Sequence, residues 1–241
     1  MTTLFVSDLH LDASRPAATD CFLRFLAGPA RDAGTLYILG DLFEAWSGDD
    51  AAGVHEREIL RALRRYTTAG CRHYFLKGNR DFLVGSRFAA ESGAVLLDDE
   101  TLVEIDNHRV LLMHGDTLCT DDHAYQRYRR LARSPTVRLV YLALPVRLRS
   151  GITAWARRRS TRANAGKPPD IMDVNPAAVA NALRRHRAQL MIHGHTHRPA
   201  IHILDLDGQP ARRIVLGAWY EQGSVLYWNE TGPALRPLNF R

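Results

Sequence analysis

Five short stretches of the 241-residue chain hold most of the side chains able to do chemistry: Ser7-Asp8-Leu9-His10, Gly40-Asp41, Gly78-Asn79-Arg80-Asp81, His114-Gly115-Asp116 and His193-Gly194-His195-Thr196-His197. Singly, each has an ordinary explanation, since a strand-end Asp often caps a turn and Gly-Asn is a turn pair. Together they are a set of carboxylate, imidazole and amide-oxygen donors with no thiolate among them. Such a set suits a borderline-hard divalent ion such as Mn²⁺ better than structural zinc. Asp8, His10, Asp41, Asn79, His114 and two of the histidines at 193, 195 and 197 make seven ligands, more than one ion normally takes from protein alone. Two ions roughly 3.5–4 Å apart, sharing one carboxylate, would use them all, polarising a phosphoryl group and lowering the pKa of a water. On an extended segment positions 193, 195 and 197 point the same way, so spacing does not choose among the three histidines.

Each stretch follows a β-rich run. Strands are expected at Leu4–Val6, Thr35–Leu39, Arg72–Leu76, Arg109–Met113 and Gln189–Ile192, and every one runs into a candidate ligand. Ligand sites of open α/β sheets gather at such carboxyl ends. Helices are expected over 19–30 and 55–67, and from the Asn175-Pro176 cap to Arg187. Val103–Ile105 pairs with Arg109–Met113 through a turn at Asn107-His108, and Ala200–Leu206, Arg212–Leu216 and Ser224–Trp228 read as a run of antiparallel strands. The alternation predicts a layered α/β protein.

The composition, 46% hydrophobic and 24% charged, is that of an ordinary globular protein. No apolar run approaches the roughly 18 residues of a membrane span, and the start lacks the basic region of a signal peptide. Cys21, Cys71 and Cys119 are odd in number and widely spaced, which argues against a disulfide framework and suits a reducing cytoplasm. The net charge of +6 is unevenly placed: His123 to Pro169 holds 12 of the Lys and Arg and no acid, leaving 20 basic against 26 acidic residues elsewhere. An acidic body with one basic insert expects an anionic partner for that insert.

The five motifs resemble the calcineurin-like metallophosphoesterase superfamily across the chain outside the basic insert. Ser7-Asp8-Leu9-His10-Leu11, Gly40-Asp41-Leu42-Phe43-Glu44-Ala45-Trp46, Gly78-Asn79-Arg80-Asp81-Phe82-Leu83-Val84-Gly85 and His193-Gly194-His195-Thr196-His197-Arg198-Pro199 further resemble the UDP-2,3-diacylglucosamine diphosphatases of bacterial lipid A synthesis. Ser47 departs from that family's pattern, which has an aliphatic residue after the Trp. The resemblance implies a sandwich of two β-sheets flanked by helices, with an inserted helical lid. It implies a manganese-dependent hydrolase that cleaves the pyrophosphate of an acylated UDP-sugar to UMP and 2,3-diacylglucosamine 1-phosphate, through attack of metal-activated water on the α-phosphorus. One Mn²⁺ would be held by Asp8, His10 and His197 and another by Asn79, His114 and His195, with Asp41 bridging. Asn79, Arg80 and His114 are the catalytic set so implied; Arg80, just after a ligand, can also bind a phosphate oxygen bidentately. His193 is then a packed or ligand-supporting histidine. Asp81 and Asp116 orient ligands or loops, and His55, His73, His108, His186 and His202 are structural.

The chain thus divides into a core of residues 1–119 and 170–241 and an insertion of 120–169. Thr120-Asp121-Asp122 starts a helix to Ala132, and Ser134-Pro135 starts another that Pro145 ends or kinks. Gly151–Ala163 forms a third. A basic face of this kind is most simply solvated, or it binds nucleic acid through arginine and Tyr125, Tyr128 or Trp155. The apolar side chains among its arginines instead suit an interfacial element. The resemblance favours the last, a lid resting on the anionic cytoplasmic face of the inner membrane, with neither nucleic acid nor an obligate protein as partner. It also implies that Asp122, Ser160, Asn164 and Lys167 contact substrate beside Asn79, Arg80 and His195. Ser160, Asn164 and Lys167 share a helical face if that helix persists.

Overall fold

The computed structural model describes residues 2–165, 171 and 173–240, with side chains of the insert described through residue 162. Two mixed sheets lie face to face. The first has the order β11 (Gly232–Leu238), β10 (Gly223–Asn229), β1 (Thr3–Val6), β2 (Thr35–Leu39), β3 (Arg72–Leu76) and β4 (Val95–Leu97), with β1 to β4 parallel. The second has the order β5 (Glu100–Ile105), β6 (His108–Met113), β7 (Leu190–His193), β9 (Gln209–Val215) and β8 (Ala200–Leu206), with β6, β7 and β9 parallel. The expected late antiparallel run is therefore divided: β8 and β9 pair in one sheet, β10 and β11 in the other.

Side-chain alternation builds the layers. Phe5, Leu39, Val110, Leu112, Ile192, Ile214 and Leu226 meet between the sheets. Leu4, Val6, Leu36 and Ile38 face the other way, onto α1 (Pro16–Ala27), α3 (Val54–Thr68) and α4 (Ser86–Ser92). Leu111, Met113 and Met191 face α8 (Pro176–His186). This period of two is the one read in the sequence. Burying each large side chain contributes about 1.5–3 kcal/mol.

The structure corrects several boundaries. The helix expected over 19–30 ends at Ala27, because Pro29 opens a separate short helix, α2 (Pro29–Ala33). The hairpin turn is Asp106-Asn107, both at positive φ (47° and 62°), and His108 already belongs to β6. A type I′ turn needs two such residues, which Asp and Asn tolerate best. Within the insert, α5 (His123–Ala132) is capped by Asp122 and α6 (Pro135–Ala143) by Ser134. The third helix, α7, runs over Val146–Ala165, five residues earlier than expected. Pro145 both stops α6 and opens α7, its carbonyl accepting from Leu148 and Arg149 N–H at 2.9 and 3.1 Å. Proline is compatible with a helix start because the N–H it lacks would be unpaired there.

No helix among the described residues is long and apolar enough to cross a membrane.

Candidate metal centre

The carboxyl ends of β1, β2 and β3 in one sheet and β6 and β7 in the other open on one edge, and their loops bring the predicted ligands together. Asp8 N–H donates to Gly40 O (3.1 Å), His10 N–H to Asp41 O (3.0 Å) and Gly194 N–H to His114 O (2.9 Å). Gly78 and Gly194 permit this approach: a Cβ at the first would run into Asp41, and at the second into Asp8 and Ser7.

Two groups of donor atoms result. In one, His197 Nε2 lies 3.2 Å from Asp8 Oδ1 and 3.4 Å from His10 Nε2, while His10 Nε2 lies 3.9 Å from Asp8 Oδ1 and from Asp41 Oδ2. In the other, Asn79 Oδ1 is 2.9 Å from His114 Nε2 and 2.8 Å from His195 Nδ1, and His114 Nε2 is 3.7 Å from Asp41 Oδ1. The two oxygens of Asp41 thus face different groups. Asp8, His10, His197 on one side and Asp8, Asp41, His114 on the other are close enough to share an ion.

The donor set fits divalent cations. Asp8 Oδ2 accepts from Ser7 Oγ (2.6 Å) and His195 N–H (2.9 Å), whereas buried Asp8 Oδ1 faces the ring nitrogens of His197 (3.2 Å) and His10 (3.9 Å) with no well-aligned hydrogen bond among the described residues. A buried charged oxygen is costly to leave unmatched. Asp8, His10, Asp41, His195 and His197 all adopt left-handed backbone, with φ of 49–68°. That conformation costs each non-glycine residue about 1–2 kcal/mol and is retained chiefly where function demands it. The carboxylates also set the imidazoles. Burial pushes His114 toward the neutral form, yet Asp41, Asp8 and Asp116 hold its pKa at about 9. His10 is likewise held above its ordinary value against burial, by Glu44, Asp41 and Asp8. Two divalent ions would supply in place of protons the positive charge these groups attract.

The extended arrangement expected for 193–197 is not what forms. The αL conformations at His195 and His197 turn the chain, so that their rings reach the centre. His193 instead lies fully buried, its Nδ1 2.8 Å from Gly194 O and its Nε2 3.3 Å from Arg213. Burial pushes His193 down to about 3, keeping it neutral. Asp81 accepts from Gly78 N–H (2.8 Å) and Leu42 N–H (2.8 Å), tying the β2 and β3 loops together. Asp116 accepts from Tyr125 OH (2.7 Å) and Arg129 Nε (2.6 Å), tying the insert to the β6 loop.

Arg80 N–H donates to Asp41 Oδ1 (2.8 Å), and its side-chain Nε is buried without a hydrogen-bond partner among the described residues. That leaves a guanidinium beside the centre suited to an anion. Asp122 caps α5, accepting from Tyr125 N–H at 3.1 Å. Ser160 shares the half-buried face of α7 with Thr153 and Arg157. The Asn164 side chain and Lys167 lie outside the described residues.

Glu44, Arg15, Trp219 and Tyr220 also border the centre, outside the predicted ligand set. Glu44 Oε2 stands 3.0 Å from His10 Nδ1. Tyr220 stacks on His10 with centroids 5.4 Å apart and lies under Arg15 at 5.0 Å. Arg15 also donates to His10 O (3.1 Å) and to Trp219 O, and Trp219 N–H donates to Asp8 O (3.0 Å). Glu44 lies in the Gly40–Trp46 motif, so a search for a carboxylate partner of His10 could have found it; nothing local marks Tyr220.

Known proteins resemble this chain in sequence and in fold. The calcineurin-like phosphoesterase family model matches residues 1–199. The chain is 52% identical to a UDP-2,3-diacylglucosamine hydrolase of Klebsiella pneumoniae over 226 residues, covering 94% of each, and 53% identical over the same span to one from Escherichia coli, again with 94% of each covered. The phosphoesterase Yfce from E. coli shares the fold at a TM-score of 0.50 and 15% identity, over 100% of this chain and 94% of that one. The family model spans most of the chain and the relatives are more than half identical to it, so the chain belongs to the calcineurin-like phosphoesterase family.

Proposed function

We propose that the protein hydrolyses the pyrophosphate bond of UDP-2,3-diacylglucosamine, releasing UMP and 2,3-diacylglucosamine 1-phosphate. The observation that carries this reading is the convergence of Asp8, His10, Asp41, Asn79, His114, His195 and His197 in a chain over half identical to hydrolases named for that substrate. Asp8, His10 and His197 would hold one Mn²⁺ and Asn79, His114 and His195 a second, with Asp41 between them. When bound, the ions supply Lewis acidity to the α-phosphoryl group and lower the pKa of the attacking water. Asn79 and Arg80 meet the phosphate oxygens, and the Arg80 guanidinium opposes the charge that builds as the bond to the leaving group breaks. His114 is oriented by Leu39 O, 2.9 Å from its Nδ1, so its Nε2 faces the centre.

Residues 120–169 act as a lid over the acylated sugar, with 1–119 and 170–241 as the catalytic core. Asp122, Ser160, Asn164 and Lys167 contact the substrate from the lid. The outer face of this insert supports binding at an anionic inner-membrane surface. Leu131, Leu139, Val140, Leu148 and Trp155 of the insert are each more than half exposed, and Arg158 and Arg159 are exposed too. Arg159 lies over the Trp155 ring at 5.5 Å. Apolar side chains flanked by arginine suit the boundary between headgroups and acyl chains.

The test is phosphorus NMR of the Mn²⁺-loaded protein with UDP-2,3-diacylglucosamine in mixed micelles and ¹⁸O-water. Label in UMP, with unlabelled sugar phosphate, establishes attack at the α-phosphorus. Protein that binds two ions and cleaves a simple phosphodiester but leaves this substrate intact would refute the lipid reading.

A further inference from the structure

Glu44 lies at the junction of the metal centre and the insert. It follows β2 on the loop that carries Asp41, and its N–H donates to Leu11 O (3.1 Å), placing it beside the His10 loop. Its side chain is only 14% exposed. The two carboxylate oxygens face different ways. Oε2 stands 3.0 Å from His10 Nδ1, and Oε1 accepts from Arg157 Nη2 at 2.5 Å. Arg157 belongs to the inward face of α7, four residues beyond Thr153, whose hydroxyl accepts from Ser47 at 3.1 Å.

Histidines that bind metal through one ring nitrogen are held in place at the other, commonly by a carboxylate. Glu44 occupies that position for His10, whose Nε2 faces Asp8, Asp41 and His197. This carboxylate is not held by the core alone. It is shared with a guanidinium from the insert.

Resting on the two-ion reading, we propose that Glu44 is a positioning residue that couples the seating of α7 to ion binding at the Asp8–His10–His197 group. Seating α7 through Arg157 fixes the carboxylate, and the carboxylate fixes the His10 ring. By linkage the effect is reciprocal: an ion that orders His10 favours the seated helix by the same factor.

The experiment titrates Mn²⁺ into the metal-stripped full-length protein by calorimetry and follows hydrogen exchange of residues 153–160 with and without the ion. Glu44→Gln, which preserves shape, should weaken one of two binding events roughly 10- to 100-fold and leave the other unchanged; the unchanged event reports that the variant is folded. Arg157→Ala should weaken the same event about fivefold or more, and have no further effect in the Glu44→Gln background. Mn²⁺ should protect α7 in the unaltered protein and lose that effect in either variant. Two unaltered events in Glu44→Gln, or an Arg157→Ala effect equal in both backgrounds, would overturn the coupling while the two-ion reading stands. Unaltered protein that binds no Mn²⁺ would remove that reading, and the coupling with it.

Discussion

Replacing Arg149 by Met should loosen α7 from the core without unfolding the core. Arg149 is a residue of α7 with only 1% of its surface exposed. Its Nη1 donates to Ser47 O at 2.8 Å, its Nη2 to Asp50, and its Nε to Leu144 O at 2.9 Å within the insert. A hydrogen bond from a charged donor is worth about 1.5–3 kcal/mol. The Asp50 pair adds only about 0.5–1 kcal/mol, because the Asp50 side chain is 53% exposed and rehydrates when its partner leaves. Methionine retains much of the apolar stem, so the loss is chiefly polar. The two bonds that cross to the core therefore contribute about 2–4 kcal/mol, which raises the opening equilibrium of α7 roughly 30- to 700-fold at 1.4 kcal/mol per tenfold. Hydrogen exchange should show that loss of protection in α7, with β1, β2 and β6 unchanged. Turnover of the acylated UDP-sugar should fall, while that of a small soluble phosphodiester holds. Exchange of α7 within threefold of the unaltered protein would refute the latch. An equal loss of protection across both sheets would refute the independence of insert and core.

Asp41→Ala should abolish turnover and lower the bound-metal count measured by elemental analysis, since its two oxygens face both donor groups; near-normal turnover would remove its bridging role. Changing Arg158 and Arg159 together to Gln should weaken binding to anionic vesicles about 30-fold at low salt, at about 1 kcal/mol per charge; unchanged sedimentation with vesicles would exclude these residues from membrane contact. His73 gives a pH test remote from the centre. Burial pushes its pKa from 6.5 down to about 4, so it is neutral in the folded chain, while the unfolded chain gains a proton below 6.5. Its burial is fully tolerated above pH 6.5, and stability is lost as pH falls toward 4, by about 2 kcal/mol at pH 5. His73→Phe should flatten the change in urea midpoint across that window, and an identical slope would contradict the burial argument.

The local signals in this chain were legible because they are local. Strand alternation in Leu4–Val6 and Arg109–Met113, the Asn175-Pro176 helix start, and the Asp122 and Ser134 caps each depend on residues within one turn or strand. The ligand residues were legible for a related reason: each sits directly after a strand, where chain order fixes which end of the sheet it reaches. Where neighbouring signals compete, boundaries moved, as when Pro145 opened α7 earlier than Gly151 suggested.

By itself the sequence determined the donor set, the layered α/β class and the basic, partly apolar character of the insert, because composition and short-range periodicity carry that information. Tertiary structure decided which donors face each other. The left-handed backbone at His195 and His197, and not an extended alternation, turns those two histidines inward and leaves His193 packed against Arg213. Tertiary structure also recruited Trp219 and Tyr220 to the Asp8–His10 loop from about 200 residues away, and joined Glu44 to both His10 and Arg157. Those contacts close only when the two sheets and the insert are packed, so no window of sequence contains them.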